Sequence, residues 1–175
     1  MSKNRERKKE SGFTLVELVV AIAIIGILST LITPKVREQL AKGRDMRGIS
    51  LLGAMRTASE LYYIEKGTAP LDDITNGDNP VNIKAAIDNI LEYLDPKAET
   101  MLKTGKIEIG GTRKEVTGGG GVEEASKEIT FGGEIGFTFI NPDSAATNNG
   151  DGVYIWFSSD VGKEYDSSGK KWSSY

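Results

Sequence analysis

One carboxylate stands alone in a long apolar run. From Phe13 to Ile32 the chain reads FTLVELVVAIAIIGILSTLI, and Glu17 is its one charged residue. About twenty such residues can cross a bilayer as a helix, where a charged side chain costs roughly a few kcal/mol. A cation beside the carboxylate removes much of that cost. The chemistry on offer is electrostatic pairing, not bond making. Glu17 therefore has two readings. It is a group that seeks a cation, or a glutamate reaching back to the aqueous boundary at the near end of the run.

Other reactive residue types are scarce. The chain has no cysteine and no histidine. This removes disulfides, thiolate nucleophiles, the commonest general base and the commonest zinc ligand. No set of carboxylates, lysines and tyrosines converges on a nucleophile or an acid–base pair, so neither an enzyme nor a cofactor is expected. GGGG at 118–121 is not followed by Gly-Lys-Ser or Gly-Lys-Thr, so it reads as a linker and not as a phosphate loop. NPDSAATNNGDG gathers oxygen donors of the kind calcium takes, with Asp143, Asn148 and Asp151 as weak candidates. Its spacing fits no EF-hand, and a turn-rich surface loop is the expectation.

The elements that must position Glu17 are visible in the charge pattern. The net charge is −3, but residues 1–12 carry Lys3, Arg5, Arg7, Lys8 and Lys9 against Glu6 and Glu10, a net +3. That leaves a mildly acidic body, unlike a nucleic-acid binder. The basic block lies directly before the apolar run, which holds it on the cytoplasmic side. A secretory signal peptide would end in an A-x-A-like site, and none follows here. The sequence instead continues in helical periodicity, with Ile49, Leu52, Met55 and Tyr62 on one side and Leu51, Ala54, Ala58 and Leu61 beside them. Arg44, Asp45, Arg47, Arg56 and Glu60 fill the other sides. One helix from about Phe13 to Glu65 is expected, stopped by Gly67 and Pro70.

These residues carry a family resemblance. GFTLVELVVAIAIIGILSTLITP behind a short basic leader resembles the prepilin signature of type IV pilins and type II secretion pseudopilins. The matching residues are Gly12, Phe13, Thr14, Leu15 and Glu17, then Gly26 and Pro34. The likeness is strict over 12–34 and extends over the rest of the long helix, whereas the globular remainder shares no nameable motif. The resemblance implies cleavage after Gly12 by a membrane-embedded prepilin peptidase and N-methylation of the new terminus at Phe13. It implies that Glu17 pairs with the terminal amine of a neighbouring subunit and so sets assembly register. It also implies that the Gly26 to Pro34 interval can lose helicity in a filament. On chemistry alone, Pro34 lacks an amide hydrogen and is expected to kink the helix.

Beyond the helix the chain changes character. VNIKAAIDNILEYLDP places Ile83, Ile87, Ile90, Leu91 and Leu94 at helical spacing between Pro80 and Pro96. KIEIGGTRKEV and KEITFGGEIGFTFI each read as a hairpin about a Gly-Gly turn, and GVYIWFS reads as a further strand. KEYDSSGKKWSSY is a candidate edge strand. Trp156, Trp172, Tyr154 and Tyr175 are open between an exposed patch and the core.

The expected fold is α+β, a type IV pilin-like long N-terminal helix packed on an antiparallel head. Its parts are a cleaved leader at 1–12, a transmembrane or filament-core half-helix at 13–34, an amphipathic half at 35–66 and a head at 67–175. The expected function is the subunit of a type IV pilus, serving attachment or twitching motility. The resemblance supplies the partners: copies of itself, the prepilin peptidase, an assembly platform protein with its ATPase, and the cytoplasmic membrane before assembly. The processed chain would sit in that membrane with its head outward and end in an extracellular pilus. Two alternatives remain open at this point: a pseudopilin of a type II secretion or competence system, and a membrane-tethered binding module that never polymerises.

Overall fold

The computed structural model describes residues 13–72, 79–102, 105–119, 121–142, 150–158 and 162–175. The chain forms two compact units, Met1–Arg37 and Glu38–Tyr175. Helix α1, Leu15–Lys66, runs through the end of the first into the second. Its stop is chemical. Gly67 takes φ 74°, a left-handed conformation that costs glycine little, and its N–H bonds the Tyr63 carbonyl at 2.9 Å.

In the second unit α1 buries Ala41, Asp45, Gly48, Leu52, Met55 and Ser59, alternately four and three residues apart. That spacing is one helix face. Leu51 and Ala58 widen it, and Ile49 and Tyr62 pack at its margin, whereas Ala54 and Leu61 stay exposed. Helix α2, Pro80–Ile90, starts as expected: Pro80 stands in the first turn, and the Asn79 side chain accepts the Val81 N–H at 2.9 Å. It tightens into a 3₁₀ turn, Leu91–Tyr93. Pro96 does more than end this helix, because it opens α3, Pro96–Leu102, behind Asp95, which accepts the Lys97 N–H.

The strands correct the two expected hairpins. β1 (Lys106–Glu108) and β2 (Gly111–Arg113) do not pair with each other, nor do β5 (Thr130–Phe131) and β6 (Glu134–Thr138). Instead β1 pairs with β6, and β2 with β5, all antiparallel. The two Gly-Gly segments lie side by side at the corner, with Gly132 N–H bonded to Gly110 O and Ile109 N–H to Gly133 O. Residues 106–138 therefore make one ribbon that bends at its glycines and changes sheet. Its far end is the pair of β3 (Glu115–Thr117) and β4 (Glu123–Ala125), so the expected linker lies between two paired strands, with Gly118 N–H bonded to Val122 O and Gly121 N–H to Gly118 O. β7 (Trp156–Ser158) completes the first sheet beside β6, and β8 (Tyr165–Asp166) completes the second beside β2.

The corner has a visible cause. A Cβ on Gly110 would lie 2.0 Å from the Ala41 carbonyl oxygen, so only glycine permits this approach to α1. Burial changes across the bend: Ile135, Phe137 and Phe139 are buried, while Phe131, before the corner, is 49% exposed. The core gathers the second-unit face of α1, helices α2 and α3, and the inner side chains of β1, β6 and β7. Trp172 is fully buried, edge-on to Phe157 at 5.0 Å, and belongs to the core. Tyr154 is 39% exposed and lies against Trp156.

Candidate functional site

The N-terminal stretch of α1 begins with a capping box. The Glu17 Oε2 accepts both the Thr14 N–H and the Thr14 hydroxyl at 2.8 Å, and the Glu17 N–H points back to Thr14 Oγ1 at 3.3 Å. Each closes an amide or hydroxyl that the first helical turn leaves open. The T-x-x-E spacing at 14–17 was a readable start signal, and the charge-based reading passed over it. Glu17 thus has a task within its own chain, and Oε1 takes no part in these bonds.

Behind this start the large apolar side chains are exposed. Phe13, Leu15, Val16, Ile22, Ile27 and Leu31 each expose more than half their surface. α1 is the one helix among the described residues long and apolar enough to cross a membrane, and that stretch is wholly unburied. Each such side chain gains about 1.5–3 kcal/mol when covered. Covering it with lipid or other protein would be favourable.

The few polar groups in this stretch are satisfied locally. Ser29 Oγ donates to Ile25 O at 2.8 Å, Thr30 Oγ1 to Ile27 O at 2.7 Å and Thr33 Oγ1 to Ser29 O at 2.7 Å. Hydroxyls turned back onto helix carbonyls suit hydrocarbon surroundings. They precede Pro34, whose missing N–H leaves the Thr30 carbonyl without its usual donor. The helix assignment continues through both Gly26 and Pro34, and a Cβ on Gly26 would meet nothing within 4 Å.

In the second unit, the α1 face carries a buried carboxylate that the sequence reading placed among the solvent-facing charges. Asp45 is 1% exposed. Its Oδ1 accepts the Gly110 N–H at 2.7 Å and the Gly111 N–H at 3.4 Å, and its Oδ2 accepts the Ser167 N–H at 3.0 Å. A desolvated carboxylate is tolerable when several donors converge on it. The spacing Ala41, Asp45, Gly48, Leu52 could have shown its burial. Arg56, eleven residues on, donates to Ile155 O at 2.7 Å and to Tyr175 O at 2.6 Å, with its guanidinium 4.1 Å from the Tyr154 ring centroid. Burial lowers the pKa of Arg56 from its usual value. Asp45 and Arg56 together tie segment 165–175 to the helix without a covalent link.

Gly12, Asp143 and Asn148 lie outside the described residues. Asp151 is described, and its Oδ1 accepts the Val153 and Tyr154 N–H groups, an Asx-type turn. Among the described residues no group of three acidic side chains could hold a metal ion.

The fold and the helix start define an α+β subunit with an apolar N-terminal helix, and the comparisons with known proteins agree. Residues 7–33 match the family model described as the prokaryotic N-terminal methylation motif. This N-terminal segment is similar to that of type IV pilins and pseudopilins. The chain is 35% identical over 71 residues to fimbrial protein EcpC of Eikenella corrodens, covering 41% of this chain and 46% of the relative. It is 30% identical over 112 residues to the type IV major pilin protein PilE1 of Neisseria gonorrhoeae, covering 62% and 59%. It is 31% identical over 65 residues to the type II secretion system core protein G of Aeromonas hydrophila, covering 37% and 46%. The chain thus spans about half the length of the curated relatives it matches. No solved structure matches it.

Proposed function

We propose that this chain is the structural subunit of a type IV pilus. The single observation that carries this is the unburied apolar stretch of α1, opening at Thr14–Glu17 within a methylation-motif match. In this reading a prepilin peptidase cuts between Gly12 and Phe13 and methylates Phe13. The processed chain waits in the cytoplasmic membrane through residues 13–34, with residues 35–66 and the 67–175 head outside. An assembly ATPase and a platform protein then move it into a helical filament, where neighbouring copies replace lipid around the apolar helix. Glu17 keeps its capping bonds and offers Oε1 to the terminal amine of an adjacent copy. The Gly26 to Pro34 interval, already short of one backbone bond, is where the helix yields under extension.

A pseudopilin is the second reading, favoured by the likeness to the secretion-system core protein. Intact mass and N-terminal sequencing of membrane and sheared extracellular fractions decide between them. An N-methylated Phe13 start in sheared filaments is the expected result. Processed chain confined to the membrane would favour the pseudopilin. An uncut Met1 start beside an active prepilin peptidase would overturn both.

A further inference from the structure

Two cations, Lys35 and Arg37, follow directly on the apolar run. Between Glu17 and Glu60, α1 carries only two carboxylates, Glu38 and Asp45. Glu38 pairs with Lys42 at 2.8 Å and lies 4.0 Å from Arg113. Asp45 spends both oxygens on backbone amides. Lys35 and Arg37 are exposed, and among the described residues neither side chain has an ion pair or hydrogen bond. Other described charges share that condition; the position of these two along the chain sets them apart.

Residues 18–34 carry no charge, and Glu17 and Lys35 stand 18 positions apart. A helix of that length rises about 27 Å, close to the roughly 30 Å of a hydrocarbon core. The hydroxyls of Ser29, Thr30 and Thr33 bond helix carbonyls, so they too suit hydrocarbon. Headgroup layers add about 5–7 Å on each side of the core. With the uncharged stretch in hydrocarbon, Lys35 stands at the boundary and Arg37 about 3 Å beyond it, both within the headgroup layer. The anions at that depth are the phosphodiesters of phospholipids. A guanidinium bonds phosphate oxygens in pairs, an ammonium meets them as a point charge, and both stems lie on hydrocarbon. At the other end Glu17 is drawn toward water, because a carboxylate is costly in hydrocarbon. The two ends pull the run in opposite directions.

We propose that Lys35 and Arg37 bind the phosphates of phospholipid headgroups on the side opposite the basic leader, and so set the depth at which the chain waits in the membrane. The inference rests on the membrane stage of the pilus reading and adds a ligand to it. Cations near a lipid surface of negative potential are held there, and each adds to the hold. Leaving the bilayer breaks both contacts, so phosphate binding opposes withdrawal of the chain.

The test places the full chain in vesicles of phosphatidylethanolamine and phosphatidylglycerol. The cysteine-free chain allows a single cysteine to serve as a depth probe. Val20 is 15 positions from Lys35, about 22 Å along the helix, so changes at 35 and 37 leave its surroundings untouched. In hydrocarbon the thiol of Val20→Cys reacts slowly with N-ethylmaleimide, because the thiolate is the nucleophile. Adding Lys35→Gln with Arg37→Gln should let Glu17 draw the run toward its own side and speed this reaction about threefold or more. Lys35→Arg with Arg37→Lys should leave it slow. In vesicles of uncharged galactolipid, which carry no phosphate, the probe should react alike with and without the glutamine changes. An unchanged rate in the glutamine variant overturns the proposal. An equal acceleration in galactolipid overturns it as well, and would show that water and not phosphate holds the cations. Ile25→Cys reports the membrane reading separately. If it reacts as fast as Val122→Cys on the exposed surface of the second unit, the run is not in lipid and that reading fails first.

Discussion

At the scale of single residues, Glu17 carries two roles that one substitution can separate. A cap needs an acceptor oxygen, whereas pairing with an amine needs a charge. Glu17→Gln keeps the acceptor and drops the charge. Glu17→Ala drops both and costs the helix start about 1 kcal/mol. If assembly uses the charge, Gln and Ala variants lose sheared filaments equally; a Gln variant that assembles normally would leave only the cap. A second residue-scale prediction concerns Tyr93, whose hydroxyl donates to Glu65 at 2.7 Å. That bond pushes its pKa up from the ordinary 10.0 to about 12. Folding raises this value, so the contribution of the pair is complete below pH 10 and is lost as pH climbs toward 12. Tyrosinate absorbance of the wild type minus that of Tyr93→Phe should show one phenol ionising near the higher value. Adding Glu65→Gln to the wild type should bring that transition back down.

At the scale of elements, the glycines divide by what a methyl group would meet. Gly110 sits where the ribbon crosses α1, and a Cβ there would collide with Ala41 backbone. Gly53 lies on the open side of the same helix, with nothing within 4 Å. Gly110→Ala should destabilise the head by about 1–3 kcal/mol or more, since backbone and not a flexible side chain has to move. Gly53→Ala should stabilise it by about 0.5–1 kcal/mol through helix propensity. Thermal melts of the two variants, each against wild type, check the opposite signs. The same contrast explains the strand pairing. A Gly-Gly step can turn a chain back on itself or carry it around a corner, and the local residues permit both. The outcome followed from Ala41 and Asp45, which give Gly110 and Gly111 a close helix backbone and two accepted hydrogen bonds.

At the scale of the whole molecule, a chain without cysteine holds its last segment by polar contacts and one aromatic cluster. Arg56 bonds Ile155 O and Tyr175 O, Asp45 bonds the Ser167 amide, and Tyr175 donates to Asp166 at 2.6 Å. Burial, then the bond to Asp166, drives the Tyr175 phenol pKa well up, so this latch does not open on mild alkalinisation. Arg56→Met preserves the stem and removes both donated bonds, leaving two carbonyls short of a partner. Charged hydrogen bonds of this kind contribute about 1.5–3 kcal/mol each. The expected result is earlier proteolysis within 162–175 and a lower melting temperature, with α2 and its core contacts retained; unchanged cleavage of that segment would show that Trp172 alone anchors it.

What the sequence by itself determined lies at the N-terminus. An apolar run, a basic block before it and one glutamate near its start are local patterns, and local hydrogen bonding makes the apolar run a helix whatever the rest of the chain does. The ends of α1 and the start of α2 were legible for the same reason: Gly67, Asn79 and Pro80 act within a turn of where they stand. Only the tertiary structure decided the head. The strands are two to five residues long, too short to declare a partner, and their pairing depends on which residues the helix brings near. Asp45 shows the limit most clearly. Its position on the buried face could be counted from Ala41 and Gly48, but an aspartate is placed in a core only when donors from elsewhere meet it. Those donors, the amides of Gly110, Gly111 and Ser167, come from up to 122 residues away along the chain.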